Sequence, residues 1–183
     1  MTLVKAHAYG NDFLLLDEAQ ASRIEDHATF ARDVCERHRG IGADGLIVYS
    51  PTDAGARMHL LNADGSPSEI SGNGVRCLGA WIARTRALAA GASIDVETEA
   101  GTKRLDLLEM SGGRYIFRAA MGEPTEIARQ VLDVDGQGID AVTLRVGNPQ
   151  CVVLGEVNES RLYSIASRLA VHPHFPAGTN VEL

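Results

Sequence analysis

The chain has 183 residues and a formal net charge of −7; 45% of its residues are hydrophobic and 22% are charged. This length can bury a core and suits one large domain, or one domain with part of a second. The acidic balance argues against a nucleic-acid partner, no apolar run could span a membrane, and the N-terminus has no signal-peptide core. The three cysteines show neither paired nor metal-binding spacing, which indicates reduced thiols in a cytoplasmic protein.

The chain predicts short strands alternating with a few helices. We expect helices over residues 23–38, 75–88 and 159–170, from apolar residues at helical spacing. Strands are expected over residues 3–6, 13–17, 46–50, 57–62, 94–98, 102–108, 114–121, 142–146 and 151–157. The helix at 75–88 is apolar almost all round, which is typical of a helix inside a protein. The sequence therefore predicts a mixed α+β fold in which strands wrap around one buried helix.

The turn that opens this buried helix reads Ser71-Gly72-Asn73-Gly74. The first N–H groups of a helix have no internal partner, and glycine allows a ligand to approach them, so the turn can receive a carboxylate or phosphate. A cysteine at position 71 would have a lowered pKa and could act as a base, whereas a serine gains less from the same field. The alternative is that Ser71 only caps the helix.

Asparagine recurs in the turns of this chain, and converging amides could hold the ammonium and carboxylate groups of an amino acid. The alternative is that asparagine is simply a common turn residue. These asparagines are Asn11, Asn62, Asn73, Asn148 and Asn180. The glycine-rich loop at 40–45 lacks the Lys-Ser/Thr of a phosphate-binding loop, and the histidines form no metal spacing, so no metal site is predicted.

Several segments, taken together, resemble the diaminopimelate epimerase family, in family order across essentially the whole chain. They are KAHAYGNDF (5–13), RHRGIGADG (37–45), NADGS (62–66), EISGNGVRC (69–77), TEAG (98–101), MGEP (121–124) and GNPQC (147–151). The resemblance implies an isomerase of lysine and peptidoglycan biosynthesis that interconverts LL- and meso-diaminopimelate without a cofactor. It also implies two pseudo-symmetric halves, each a mixed sheet around a central helix. On this basis we expect an N-terminal epimerase-like domain over 1–146 and the start of a second over 147–183.

The resemblance also assigns roles to individual residues. In the family, two cysteines on opposite faces of the substrate remove and return the α-proton, and Ser71 occupies the position of the first. Gly72 and Asn73 match the backbone that receives the substrate carboxylate. The remaining substrate-binding positions match Asn11, Asn62, Asn148, Gln150 and Asn180. The expected partner is a small amino-acid substrate, and family members are often homodimers.

Three departures from the family pattern keep alternatives open. Ser71 replaces a cysteine, Gln150 replaces a histidine that can titrate, and the chain stops soon after Asn180, before the second cysteine. We therefore expect the chain as written to be inactive alone, as part of a longer epimerase. One alternative is a serine/cysteine-type epimerase or dehydratase acting on another amino acid. The other is a binding protein that keeps the amino-acid pocket without catalysis.

Overall fold

The chain begins with a hairpin of strands β1 (Val4–Ala8) and β2 (Asn11–Asp17), in which Ala8 pairs with Asn11. The two loop residues, Tyr9 and Gly10, both have positive φ, at 54° and 87°. Two consecutive positive φ values match the right-handed twist of the flanking strands, which explains the tight turn. Asn11 is thereby placed at the first position of β2.

The computed structural model describes residues 1–183 and divides them into unit 1 (Met1–Met121) and unit 2 (Gly122–Leu183). Unit 1 adds to the hairpin three helices, α1 (Glu18–Ala21), α2 (His27–Cys35) and α3 (Gly72–Thr85). Its other strands are β3 (Gly45–Thr52), β4 (Gly55–Asn62), β5 (Pro67–Ser68), β6 (Ser93–Thr98), β7 (Gly101–Ser111) and β8 (Arg114–Ala120). These strands form one sheet in the order β1-β2-β3-β4-β6-β7-β8, with β5 paired to β4.

The core of unit 1 follows from the alternation of side chains along its strands. Phe13 and Leu15 of β2 lie in the cluster that contains the buried residues of α3. Their neighbours Leu14 and Leu16 lie in a second cluster with residues of α1 and α2. Because successive side chains point to opposite faces of a sheet, this part of the sheet has a helix layer on each face. The predicted burial of the helix is confirmed, since Leu78 of α3 is fully buried.

Unit 2 has its own sheet and core. It contains β9 (Thr125–Val134), β10 (Gln137–Val146), β11 (Asn148–Val153), α4 (Glu159–Leu169) and β12 (Asn180–Glu182). The sheet order is β12-β11-β10-β9, and Leu169 of α4 is buried with residues of β9, β10 and β11. None of the helices in either unit combines the length and apolar character that a membrane crossing needs.

The two units repeat one local plan. In each, an antiparallel hairpin is followed by helical structure and then by a strand parallel to the second hairpin strand. Phe13 of β2 pairs with Gly45, and Gln150 of β11 pairs with Asn180. Asn11 and Asn148 therefore occupy equivalent positions, each directly after a glycine with positive φ.

The predicted mixed α+β class is confirmed, but several boundaries differ. The helix expected over 23–38 is shorter, because Asp26 caps a new helix by accepting from the N–H groups of Ala28 and Thr29. Strand β9 was not expected, and the strand expected over 151–157 ends at Val153. The compact units meet between Met121 and Gly122, whereas the sequence predicted a boundary between 146 and 147. That position lies inside the sheet of unit 2, because β10 pairs with both β9 and β11.

Candidate active site

Helix α3 begins at a tight cap formed by Ser71. The Ser71 backbone is extended (φ −135°, ψ 119°), and its Oγ accepts a hydrogen bond of 3.1 Å from the Gly74 N–H. A Cβ on Gly74 would lie 3.1 Å from Ile47 Cδ1 and 3.6 Å from Phe13 Cζ. A larger residue at position 74 would require Ile47 to shift by a few tenths of an ångström, so glycine lets the first turn of the helix lie close to β3.

The cap leaves two backbone donors unused. The Ser71 hydroxyl serves Gly74 and the Ser71 carbonyl serves Val75, but the N–H groups of Gly72 and Asn73 donate to no protein acceptor. A Cβ on Gly72 would make ordinary van der Waals contacts, at 3.6 Å with both Arg76 Nη1 and Met121 Cε. Two free donors at the positive end of a helix favour an anion, so this end of α3 can receive a carboxylate.

The Ser71 hydroxyl has no proton acceptor among its protein contacts. Its only hydrogen bond is the one that it accepts from Gly74 N–H, and no carboxylate, imidazole or amine bonds to it. Serine nucleophiles and bases normally depend on such a partner to take the hydroxyl proton. Ser71 is therefore placed to donate its proton or to contact a ligand, but nothing in unit 1 activates it as a strong base.

Asn11 and Asn73 meet beside this helix end. Asn73 Nδ2 donates to Asn11 Oδ1 across 3.4 Å, and the Arg76 guanidinium donates to Asn73 Oδ1. Arg76 also lies over the ring of Tyr9, 5.6 Å from its centroid. Two of the predicted site residues are thus brought together with Ser71 by the β1–β2 turn and by α3.

Asn11 is also held by an ion cluster, which consists of Lys5, Asp12, Arg37 and Asp44. Asn11 Nδ2 donates to Asp44 Oδ2 at 2.8 Å. Arg37 joins Asp12 and Asp44, at 2.7 and 2.8 Å, and Lys5 lies 3.0 Å from Asp12. Hydrogen bonding by Arg37, with help from Lys5, holds the pKa of the Asp12 carboxyl well below its usual range. The same contacts with Asp12 and Asp44 raise the pKa of Arg37.

Asn62 lies at the end of β4, next to β3, where it pairs with Gly45. It is exposed, and its Nδ2 donates to Ser66 Oγ at 3.0 Å within its own turn. The backbone links it to the cluster, because the Ala63 N–H donates to the Asp44 carbonyl at 3.0 Å. The structure therefore places Asn62 near the ion cluster, but no side-chain hydrogen bond joins Asn62 to Asn11 or Asn73.

The other predicted residues belong to unit 2. Gln150 Nε2 donates to Asn148 Oδ1 at 2.7 Å along the start of β11. Asn180 begins β12 and pairs with Gln150 in the parallel register. These three residues thus form a second polar group on adjacent strands, with neutral side chains only.

The three cysteines take no part in either polar group. Cys35, Cys77 and Cys151 are free and buried. Burial raises the pKa of the Cys35 and Cys77 thiols to about 11, and it also raises the pKa of Cys151. They stay protonated near neutral pH, so none of them supplies a thiolate base.

A separate groove of about 740 Å³ runs along α3, and none of the predicted site residues lines it. Its walls come from β1 and from residues 112–117, and Arg76 and Trp81 of α3 line it as well. The groove contains no acidic side chain; its titratable residues are Lys5, His7, Tyr9, Arg76, Cys77, Arg84, Arg114 and Tyr115.

Known proteins have sequences similar to this one. Residues 3–127 match the family model described as "Diaminopimelate epimerase". The diaminopimelate epimerase of Desulforudis audaxviator is 37% identical over 197 residues, covering 100% of this chain and 70% of the relative. That of Desulfitobacterium hafniense is 38% identical over 200 residues, with the same coverage. The chain belongs to the diaminopimelate epimerase family.

Solved structures of other proteins have a fold similar to that of this chain. A probable proline racemase from Agrobacterium radiobacter has a TM-score of 0.67 at 15% identity, covering 92% of this chain and 57% of that chain. A hydroxyproline epimerase from Agrobacterium vitis has a TM-score of 0.63 at 16% identity, covering 92% of this chain and 55% of that chain. This member of the diaminopimelate epimerase family thus spans less than two thirds of those two structures.

Sequence reasoning missed the residues that hold the site asparagines in place. Asp44, Arg37 and Arg76 all lie within the family segments, yet they received no role there. A signal existed, because each charged residue is next to, or within three residues of, a glycine in those segments. What the sequence could not supply was the pairing, which joins residues far apart in the chain, as Asn11 and Asp44 are.

Proposed function

We propose that this protein is a cofactor-independent amino-acid epimerase that interconverts LL- and meso-diaminopimelate by proton transfer at the α-carbon. The observation that carries the proposal is the start of α3, where two free backbone donors lie beside Ser71 in a chain of this family. Removal of an α-proton places negative charge on the adjacent carboxylate, and fixed donors stabilise that charge most when it is largest. In this proposal the N–H groups of Gly72 and Asn73 take that role.

Ser71 is the proton-transfer group on one face of the substrate. Its hydroxyl proton is free of protein acceptors, so it can be delivered to a carbanion that another base has generated from the opposite face. In the reverse direction a serine must give up its proton first, which is unfavourable without a partner. We therefore propose an epimerase that is slower in both directions than a cysteine enzyme, because the equilibrium constant fixes the ratio of the two kcat/KM values.

The asparagines bind the rest of the substrate. The substrate-binding residues proposed for unit 1 are Asn11, Asn62 and Asn73, and those proposed for unit 2 are Asn148, Gln150 and Asn180. Amides suit a substrate with ammonium and carboxylate groups, because each amide offers both a donor and an acceptor. Gln150 contributes a hydrogen bond and no proton transfer, since an amide does not titrate in this range.

Unit 2 contributes the beginning of the second epimerase-like half. The support is the repeated plan of hairpin, helix and parallel strand, with Asn148 at the position that Asn11 has in unit 1. We further propose a cytoplasmic location, in keeping with three free cysteines, and a homodimer. Sedimentation velocity of the purified protein tests the dimer.

A non-catalytic amino-acid-binding protein is the second candidate. The observation that favours it is the absence of a proton acceptor on Ser71 Oγ, which leaves the ligand donors of α3 intact but weakens the acid–base step. The two candidates make different predictions about solvent hydrogen, because only an epimerase breaks the bond between the α-carbon and its proton.

Deuterium incorporation from D2O into LL-diaminopimelate separates the candidates. The protein should place deuterium at the α-carbon, and Ser71→Ala should lower the rate of conversion to meso-diaminopimelate about 100-fold or more. Ser71→Cys should raise it, because a thiol at a helix N-terminus ionises far more easily than a hydroxyl. Ser68→Ala is the matched control, since the Ser68 hydroxyl bonds only to the Ile70 carbonyl.

Other outcomes reject the proposal in different ways. Binding of diaminopimelate without any exchange would identify the non-catalytic protein. Exchange at the α-carbon of another amino acid alone would identify an epimerase with a different substrate. Loss of water from a hydroxylated amino acid would identify a dehydratase. Equal rates of conversion to meso-diaminopimelate by wild type and Ser71→Ala would remove Ser71 from the reaction.

A further inference from the structure

The orientation of the two amides at the start of α3 is set by their charged partners. A carboxylate only accepts hydrogen bonds and a guanidinium only donates them. The Asn11 atom that lies 2.8 Å from Asp44 Oδ2 must therefore be the nitrogen, and the Asn73 atom that faces Arg76 must be the oxygen. These assignments follow from the chemistry of the partners and not from the appearance of the amides.

The remaining amide atoms face each other beside the helix end. Asn11 presents Oδ1 and Asn73 presents Nδ2, and the two are 3.4 Å apart, a long contact that leaves both groups available to a ligand. Next to them are the free N–H groups of Gly72 and Asn73. The start of α3 thus has one fixed acceptor, Asn11 Oδ1, among three donors.

We propose that Asp44 and Arg76 are positioning residues that fix opposite orientations of Asn11 and Asn73, so that the site accepts a zwitterionic amino acid in one direction only. The inference rests on the proposed function. The donors take the substrate carboxylate, and Asn11 Oδ1 takes an ammonium group. A ligand with the reverse arrangement would bring its carboxylate against an acceptor and its ammonium against donors.

The Asp44 side chain is held firmly enough to impose this orientation. Its Oδ1 accepts from Arg37 at 2.8 Å, and its Oδ2 also accepts from the Asp12 N–H at 3.0 Å. The Asp44 N–H in turn donates to the Asp12 carbonyl at 2.9 Å. Both oxygens and the backbone are engaged, so the carboxylate cannot turn away from Asn11.

Asp44→Asn should reverse Asn11. The new amide has one oxygen for two donors, Arg37 and the Asp12 N–H. Because the charged guanidinium makes the stronger bond, Arg37 keeps that oxygen and the nitrogen turns toward Asn11, which must then offer its own oxygen to residue 44. Asn11 Nδ2 would face the substrate ammonium. We expect KM for diaminopimelate to rise about 10- to 100-fold, the effect of losing a hydrogen bond to a charged group, with kcat nearly unchanged.

Asp12→Asn is the matched control for charge. This substitution removes one carboxylate from the same ion cluster. The Asp12 side chain contacts Lys5 and Arg37 but makes no bond to the Asn11 amide. Its KM should stay near the wild-type value. In Asp44→Asn, the further change Asn11→Asp should bring KM back toward wild type, because a carboxylate at 11 accepts from the new amide and presents its second oxygen to the ammonium.

Arg76→Gln tests whether Arg76 fixes the orientation of Asn73. Arg84→Gln is the control for loss of charge on the same helix. The glutamine amide can donate or accept, so Asn73 is no longer held with Nδ2 toward the site. We expect KM to rise for Arg76→Gln and not for Arg84→Gln.

A measurement without substrate keeps this inference separate from the proposed function. The hydrogen bond should give a scalar coupling between Asn11 Nδ2 and Asp44 Cγ in isotopically labelled wild-type protein. If the protein shows no turnover, the proposed function fails, and this coupling alone decides the orientation of Asn11. Absence of the coupling, or an equal rise of KM in Asp44→Asn and Asp12→Asn, would overturn the inference.

Discussion

The β1–β2 hairpin of unit 1 and the β10–β11 hairpin of unit 2 share a plan but hold their asparagines differently. Asn11 and Asn148 each open the second strand after a glycine with positive φ. Asn11 bonds to the carboxylate of Asp44, whereas Asn148 bonds to the amide of Gln150. A carboxylate allows one orientation of its amide partner, while two amides can reverse together without losing the bond.

Different features of the structure set the position of a polar side chain and the orientation of its amide group. The turn and the strand register place the asparagine, and the ionic state of the next side chain decides which atom faces outward. In unit 1 the orientation of the amide is fixed by charged partners, and in unit 2 the partner of Asn148 is a neutral amide. The cores differ in size as well, because Leu78 lies in a large cluster of buried residues, while Leu169 lies in a smaller one against which Ile165, Val181 and Leu183 pack.

The largest expected effect compares these two cores. Leu78→Ala should lower the free energy of unfolding by about 4–5 kcal/mol, because its dense surroundings cannot collapse into the cavity. Leu169→Ala should cost about 2–3 kcal/mol, because partly exposed neighbours can move in. Urea denaturation measures both, and the partly exposed Leu108→Ala is the control. A greater cost at Leu169 than at Leu78 would contradict the comparison.

The next effect concerns the ion cluster. Asp12 has a side chain only 13% exposed, and its removal as Asp12→Asn leaves Lys5 without a charged partner and Arg37 with Asp44 alone. We expect a loss of about 1.5–3 kcal/mol in stability. The matched change in unit 2 is Asp140→Asn, which breaks an exposed pair with Arg129 and should produce no measurable change. Similar losses for both variants would show that the cluster has no special role.

A pH titration isolates the same carboxylate. The pKa of Asp12 is lower in the folded protein than in the unfolded chain, so the unfolded state binds the proton first as pH falls. The stability that Asp12 contributes is complete above its unfolded pKa of about 4 and is lost progressively below it. The difference in stability between wild type and Asp12→Asn should therefore shrink as pH falls below about 4. A difference that is constant with pH would contradict the account.

The smallest expected effect is in unit 2. Gln150→Glu replaces an amide that can reverse with a carboxylate that only accepts, so Asn148 must turn Nδ2 toward residue 150. One Asn148 side-chain proton should then exchange more slowly with solvent in NMR spectra, with little change in stability. Gln130→Glu, on β9 in the same unit, is the control. Unchanged Asn148 exchange would mean that the pair is already fixed in the wild type.

The sequence predicted the part of the fold that local pattern controls. The all-apolar surface of residues 75–88 indicated a buried helix, and Ser71 is its cap as the alternative interpretation held. Strand β9 was not predicted because its apolar residues do not mark one face: Ile127 and Val131 are exposed, whereas Leu132 and Val134 are buried. The division into compact units at Met121 and Gly122 could not be read from the sequence, because the partners of β10 are known only from the sheet.

The candidate site was predicted residue by residue but not as an assembly. The family segments contained Asn11, Asn73 and Ser71, and the structure brings them to one end of α3. The roles of Asp44 and Arg76 depend on contacts across the chain and on which atom of an amide faces each charge. Neither property is encoded in the spacing of residues along a segment.

The most direct test of this account is an NMR titration of the labelled protein with meso-diaminopimelate, observing the backbone amides of Gly72 and Asn73. These two N–H groups have no acceptor in the protein, so a bound carboxylate should move both proton resonances strongly downfield. The Gly91 amide, already bonded to the Leu107 carbonyl, should not move. Saturable binding that leaves Gly72 and Asn73 unshifted would contradict the assignment of α3 as the carboxylate site.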